Sequence, residues 1–361
     1  MAQDSEIGLL ISPNFHNYGD MLAEKLTARG IEMTHLPYPD REESFPERAY
    51  YFLLAQTKYR SHRYGRFELQ RKRNKELIES FNETIPEAVR ELEPDFVLVI
   101  QGAFVKPETV RWIREETNAT PVLWSYDELD RLRLTRQSVD YYESAYLFKP
   151  PSHSEFQGAN VKPLPLAHDD SVYDVVDSED DPSIDVSFVG SLTNSRRREL
   201  FSQIVNKLDA NVAIWSPAWT WTNPVLLYRY KIKRRELSSH INNTVIDHAT
   251  VNEVYNRSKI CLNIHKAWKA DSEEPVGLNM RTFEVPGAGG FQLVDEVTSL
   301  DSHFNVGDEL VTYSGTDDLL EKIRYYLDAD EERNAIARRG YRRAKDEHTF
   351  DDRLDVILEG L

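Results

Sequence analysis

The residues best suited to do chemistry lie in the run Gly277-Leu278-Asn279-Met280-Arg281-Thr282-Phe283-Glu284. On a helix starting near Asn279, Arg281 and Glu284 fall one turn apart, and Gly287, Gly289 and Gly290 close its far end. A carboxylate so placed can accept both hydroxyls of a ribose, and a guanidinium beside it can balance a diphosphate. Read instead as an exposed ion pair, the same two residues contribute at most about a few tenths of a kcal/mol.

A second candidate is the strand Val186-Ser187-Phe188-Val189 running into Gly190 and on to Arg196. A strand–glycine–helix turn lets backbone N–H groups and a helix N-terminus face an anion, with Arg196 adding a bidentate contact. The same turn also serves plain packing in α/β domains. Lys266, next to His265 after the apolar run Ile260 to Ile264, is a further phosphate ligand candidate, and Trp215, Trp219 and Trp221 can stack on a base or pack a loop. On the acceptor side, Asp127 follows the apolar run Pro121 to Trp124 and reads either as a general base or as the N-cap of a helix Glu128 to Leu132. His16, with Gly19 in the loop after the first strand, is the other candidate base. No clustered Cys/His spacing suggests a structural metal and the acidic groups form no clear Asp-x-Asp metal site, so no metal or cofactor is expected to be required.

These residues need rigid elements behind them. Ile7 to Ser12, Met33 to Leu36, Phe96 to Ile100, Pro121 to Trp124 and Ala145 to Phe148 are short apolar runs separated by loops or helical stretches, as buried parallel strands are. A long charged helical stretch spans about Pro46 to Leu92. A Pro- and Asp-rich region interrupts the pattern, and the alternation restarts at Ile184 to Gly190, Ala210 to Trp215, Lys259 to Ile264 and Gly290 to Val294. Helices over Asp317 to Leu327, Glu331 to Glu347 and Phe350 to Leu358 complete the chain. The expectation is an α/β protein of two doubly wound, Rossmann-like domains, 1–168 and 184–361, joined by a linker at 169–183.

The 361 residues exceed what one core usually organises, and 40% are hydrophobic, enough for two. The formal net charge of −17 argues against a nucleic-acid partner, whose phosphates need a basic surface. The acid-rich balance, with 15 lysines against 29 arginines, resembles proteins of salt-loving organisms. No stretch approaches the roughly 20 apolar residues of a membrane span, and no basic-then-apolar leader opens the chain, so a cytoplasmic location is expected. The lone Cys261, in an apolar run, reads as a buried structural thiol. The basic, tyrosine-containing stretch 58–73 reads either as a solvated helix or as a peripheral contact with the inner face of the cell membrane.

Asn279-x-Arg281-x-x-Glu284 followed by Pro286-Gly287-Ala288-Gly289-Gly290 resembles the signature of the CgeB-like glycosyltransferases, the spore-maturation-protein group of the GT-B superfamily. The resemblance continues through Leu300-Asp301, Phe304, Gly307, Glu309 and Tyr313 to Tyr325-Tyr326-Leu327, Glu331-Glu332-Arg333, Gly340, His348-Thr349-Phe350 and Arg353. Over the first half it is carried by Pro94-Asp95, by Trp124-Ser125-Tyr126-Asp127-Glu128 and by Leu164-Pro165-Leu166-Ala167. It implies a GT-B fold with an interdomain cleft, and transfer of a sugar from a nucleoside-diphosphate sugar to an acceptor hydroxyl on a glycan, a lipid-linked molecule or a small molecule. Gly190, Arg196, Lys266, Asn279, Arg281 and Glu284 would then hold the donor, and Asp127 or His16 would serve the acceptor. Retaining GT-B enzymes often pair two glutamates about eight positions apart. Here Glu284 lies ten positions after Glu274, which leaves Glu284 as the ribose ligand and the stereochemistry open. A non-catalytic nucleotide-sugar or glycan-binding protein and a GT-B-like nucleotide-sugar epimerase are the alternatives.

Overall fold

The computed structural model describes residues 5–14, 17–40, 50, 53–54, 69, 72–127, 129–148, 160–176, 182–192, 195–216, 235–265 and 277–361. His16, Lys266, Glu274, Trp219 and Trp221 lie outside the described residues, as does the stretch 58–73 apart from Leu69, Lys72 and Arg73. The chain forms two units, Met1–Pro165 with Arg353–Leu361, and Leu166–Asp352.

In the first unit the strands are β1 (Ile7–Ser12), β2 (Glu32–Pro37), β3 (Phe96–Ile100), β4 (Thr120–Ser125), β5 (Ser144–Leu147) and β6 (Asn160–Pro163). The helices are α1 (Tyr18–Ala28), α2 (Lys75–Leu92), α3 (Pro107–Glu116) and α4 (Arg133–Ser138). All six strands are parallel, in the order β2-β1-β3-β4-β5-β6. β3 is buried along its whole length, which is why it reads as an uninterrupted apolar run. On α2, Ile78, Phe81, Ile85 and Val89 recur every three or four residues and form the buried stripe against the sheet. The strand order reverses between β1 and β3, so a crevice opens beyond Ser12 and Ile100.

The second unit contains β7 (Ile184–Val189), α5 (Ser195–Lys207), β8 (Val212–Trp215), α6 (Arg235–Ser239), β9 (Ile241–Asn242), α7 (His248–Asn256) and β10 (Ser258–Asn263). It continues with α8 (Arg281–Gly287), β11 (Gln292–Asp295), β12 (Val311–Tyr313), α9 (Thr316–Asp328) and α10 (Asp330–Glu347). Its six strands are also parallel and run β12-β11-β10-β7-β8-β9, the doubly wound order with its reversal between β7 and β10. Alternate residues of β10 serve opposite faces of the sheet. Ile260, Leu262 and Ile264 join a core with Phe188, Phe201, Tyr313 and Ile323, while Cys261 joins Tyr173, Tyr255, Val285 and Ala288. Burial pushes the Cys261 thiol up to about 12, as expected of an inert structural cysteine.

The last helix, α11 (Phe350–Leu358), returns to the first unit from Arg353 onward, unlike the single second domain 184–361 that the sequence suggests. Arg353 Nε donates to Pro165 O at 3.2 Å, Tyr146 Oη donates to Val356 O at 3.1 Å, and Arg29 pairs with Asp355 at 2.9 Å. Upstream, within the second unit, His168 pairs as a parallel bridge with Thr349. The stretch 169–183, read as linker, contributes Tyr173 to a second-unit core.

Candidate functional site

The reversal between β7 and β10 is where a doubly wound sheet leaves room for a ligand. Gly190 follows β7 and donates its N–H to Trp215 O at 2.9 Å. Phe188, two residues earlier, carries two guanidinium groups over its ring: Arg281 at 5.1 Å and Arg197 at 5.5 Å. Arg281, the first residue of α8, donates from Nη1 to Val189 O at 2.5 Å. Arg197, in the first turn of α5, donates from Nη1 to Ser191 O at 2.9 Å and from Nη2 to Ile264 O. Each arginine therefore caps a carbonyl at or just beyond the end of a strand flanking the reversal. A Cβ on residue 190 would collide with Arg281 Nη1, so only glycine permits this approach.

Burial and the like charge of Arg281 lower the Arg197 guanidinium to about 9, and burial also lowers Arg281. The Nε atoms of both are buried without a hydrogen-bond partner. Two poorly solvated cations side by side favour an anion in their neighbourhood. Glu284, buried one helical turn after Arg281, and Asp295, buried at the end of β11, supply negative charge that offsets part of it.

Asp295 anchors a network that the sequence did not reveal. Its Oδ1 accepts the His265 backbone N–H at 2.8 Å and stands 2.8 Å from His265 Nδ1. His265 Nε2 lies 3.3 Å from Thr282 Oγ1, which also accepts from Asn263 Nδ2 at 3.3 Å. Asn279 Nδ2 donates to Asn263 Oδ1 at 2.9 Å, and Arg196 Nη1 stands 3.9 Å from Asp295 Oδ2. Gly190, Arg196, Asn279 and Arg281, all singled out from sequence, thus converge on the ends of β7, β10 and β11, and Glu284 is buried on α8 within electrostatic reach of Arg281. Arg197, His265, Thr282 and Asp295 join them. Arg197 follows the same strand–glycine–helix pattern as Arg196, and nothing in the sequence separates the two.

In the first unit, Asp127 follows β4 and accepts from Gln101 Nε2 at 2.6 Å, with Arg131 Nη1 at 3.9 Å from its other oxygen. The next helix, α4, begins only at Arg133 after Leu132, so Asp127 caps no helix. Gln101 stands just past β3 at the reversal, in the left-handed region with φ 66°. Thr135 Oγ1 donates to its carbonyl at 2.9 Å, and Tyr38 Oη accepts from Gly102 N at 3.0 Å. Such strain at the end of a strand persists only where surrounding contacts hold it. Beyond β1, Ser12 Oγ lies 2.8 Å from His35 Nε2, and His35 Nδ1 lies 2.7 Å from Asp20 Oδ1, tying β1, β2 and α1 together. Among the described residues there is no group of three His, Cys, Asp or Glu that could hold a metal, and no helix long and apolar enough to cross a membrane.

Residues 196–359 match the family model described as "Glycosyl transferase-like". The spore protein CgeB of Bacillus subtilis is 20% identical over 278 residues, which cover 73% of this chain and 82% of that protein. Among solved structures, a sucrose-phosphate synthase from Thermosynechococcus elongatus superposes with a TM-score of 0.69 at 11% identity, covering 98% of both chains. HepE from Anabaena, solved with UDP and glucose, gives a TM-score of 0.64 at 11% identity, over 99% of this chain and 100% of that one. Two all-parallel, doubly wound sheets and these likenesses establish the fold as GT-B, with the glycosyl transferase-like match lying almost wholly in the second unit.

Proposed function

We propose that the chain is a glycosyltransferase, akin to the CgeB-like group, that moves a sugar from a nucleoside-diphosphate sugar to an acceptor hydroxyl. The observation that carries this reading is the pair of guanidiniums over Phe188, the buried Arg197 and the half-buried Arg281 that packs against Gly190, at the strand-order reversal of a glycosyl transferase-like unit. In the reaction the bond between the anomeric carbon and the diphosphate oxygen breaks, and its electron pair stays on the diphosphate. Arg196, Arg281 and Lys266 stabilise that developing charge; preorganised cations aimed at a leaving group are commonly the largest catalytic contribution. Arg197 adds to the same field. Glu284 accepts the ribose hydroxyls, and Asn279 orders the loop that precedes α8. The acceptor oxygen attacks the anomeric carbon as Asp127 or His16 takes its proton. No metal is assigned a role.

HepE was solved with UDP and glucose, which makes UDP-sugars the first donors to try. The test is to incubate the purified protein with UDP-, GDP- and TDP-sugars and a panel of glycan and lipid-linked acceptors, and to follow nucleoside-diphosphate release and product mass. Release that depends on acceptor, with a product heavier by one glycosyl unit, is the expected result. Tight donor binding with no release under any acceptor would make this a binding protein instead.

A further inference from the structure

The short helix α8 carries both Arg281 and Glu284, and its first turn, closed by the Thr282, Phe283 and Glu284 N–H groups on the carbonyls of Asn279 and Met280, gets no side-chain support from its own cap. It has seven residues, and its N-cap, Met280, makes no side-chain cap bond. The carbonyl of Thr282 also lacks its helical partner, because the residue four positions on is Pro286, which has no N–H. β11 supplies what is missing. Gln292 Nε2 donates to Arg281 O at 3.0 Å and to Thr282 O at 3.3 Å. Asp295, three residues further along the same strand, reaches the Thr282 side chain through His265.

The donors and acceptors of that second route fit one arrangement of protons. An ionised Asp295 only accepts, so His265 carries its proton on Nδ1 and leaves Nε2 as an acceptor. With the imidazole neutral, Nε2 is an acceptor, and Thr282 Oγ1, which also accepts from Asn263 Nδ2, donates its proton to it. Each residue then has at least one partner, while Asp295 Oδ2 makes no hydrogen bond among the described residues and stands 3.9 Å from Arg196 Nη1, in a setting where Asp295, His265, Asn263 and Thr282 are almost wholly shielded from solvent.

We infer that Asp295 and His265 are positioning residues of the donor site, which aim Arg281 and Glu284 by fixing the hydroxyl of Thr282 in the first turn of α8. The inference rests on the reading of Arg281 and Glu284 as donor ligands. It assigns a role to two residues that touch no reacting atom. Removing either end of the chain releases the same turn, so the losses should not multiply.

The experiment compares wild type, Asp295→Asn, Thr282→Val, Thr282→Ser and the Asp295→Asn/Thr282→Val double variant, by calorimetric titration with UDP, GDP and TDP. Circular dichroism checks the fold. Asp295→Asn and Thr282→Val should each weaken the nucleotide that wild type binds by about tenfold, the double variant no more than its weaker parent, and Thr282→Ser should retain wild-type affinity. Should Asp295→Asn fail to fold, His265→Asn takes its place in the cycle. A long-range ¹H–¹⁵N spectrum, with His265→Asn to assign the signal, should show the His265 proton on Nδ1. A proton on Nε2 only, a roughly hundredfold loss in the double variant, or undiminished affinity in Thr282→Val would each overturn the inference while leaving the donor site standing. If wild type binds none of the three nucleotides, the donor-site reading falls and takes this inference with it, even with the imidazole proton where it is expected.

Discussion

Gly190 and Arg281 fit each other as surface and filler: the guanidinium of Arg281 occupies the space a side chain at 190 would need, and donates to the carbonyl of Val189 next to it. Gly190→Ala must therefore expel Arg281 from the end of β7. The displaced group is the far end of a flexible side chain, so the fold survives with a stability loss of about 1.5–3 kcal/mol from the lost charge-assisted bond, to which the positive φ of residue 190 adds backbone strain. Nucleoside-diphosphate affinity should fall at least tenfold. Thermal melts run beside a binding titration separate the two effects, and an alanine variant that binds like wild type would dissociate Arg281 from the donor.

Asp127 is held from two sides, by the Gln101 amide at 2.6 Å and by Arg131 across 3.9 Å. If it is the base for the acceptor, Asp127→Asn should cut turnover by about 10²–10⁴-fold and leave donor binding intact, since only the proton-accepting capacity is lost. Single-turnover rates with saturating donor measure this. Unchanged turnover would shift the assignment to His16.

His168 gives the second unit a pH dependence with a defined sign. Burial, the dominant cause, lowers its imidazole below the ordinary 6.5, and its Nε2 is enclosed without a partner. The His348 carbonyl, 2.9 Å from Nδ1, and the charges of Asp170 and Asp169 work the other way, while Lys345 adds to the lowering. The unfolded chain takes up a proton near pH 6.5 that the folded chain refuses. Stability from this group is thus fully present above pH 6.5 and declines on acidification, by at most about 1.4 kcal/mol per pH unit, until the lowered folded value is reached. Urea denaturation between pH 8 and pH 5 should show this slope in wild type and a shallower one in His168→Asn. Equal slopes would remove His168 from the acid response.

Much of this architecture was legible because buried parallel strands are apolar along their length. β1, β3 and β4 announce themselves in this way, and β7 and β10 by their shorter apolar runs around Phe188-Val189 and Ile260-Cys261-Leu262. β6, β9 and β12 did not. Their two to four residues sit toward or at the sheet edges, carry Lys162, Pro163 and Asn242, and show no apolar run. The residues proposed for the donor side were visible for a local reason: Asn279, Arg281 and Glu284 lie within one short segment. The Asp295–His265–Thr282 chain was not, because it joins the ends of β10 and β11 to α8, and only the parallel register brings them together. The return of α11 to the first unit depends on single contacts such as Arg353 with the Pro165 carbonyl, which leave no pattern in the sequence.

The central claim is that the reversal in the second sheet holds a nucleoside diphosphate through Arg281 and Glu284. Calorimetric titration of wild type, Arg281→Ala and Glu284→Gln with UDP, GDP and TDP tests it most directly. Wild type should bind one of the three, and each variant should lose about 1.5–3 kcal/mol, the worth of a charge-assisted hydrogen bond, while its circular dichroism and melting profile stay native. Wild-type affinity in both well-folded variants would contradict it.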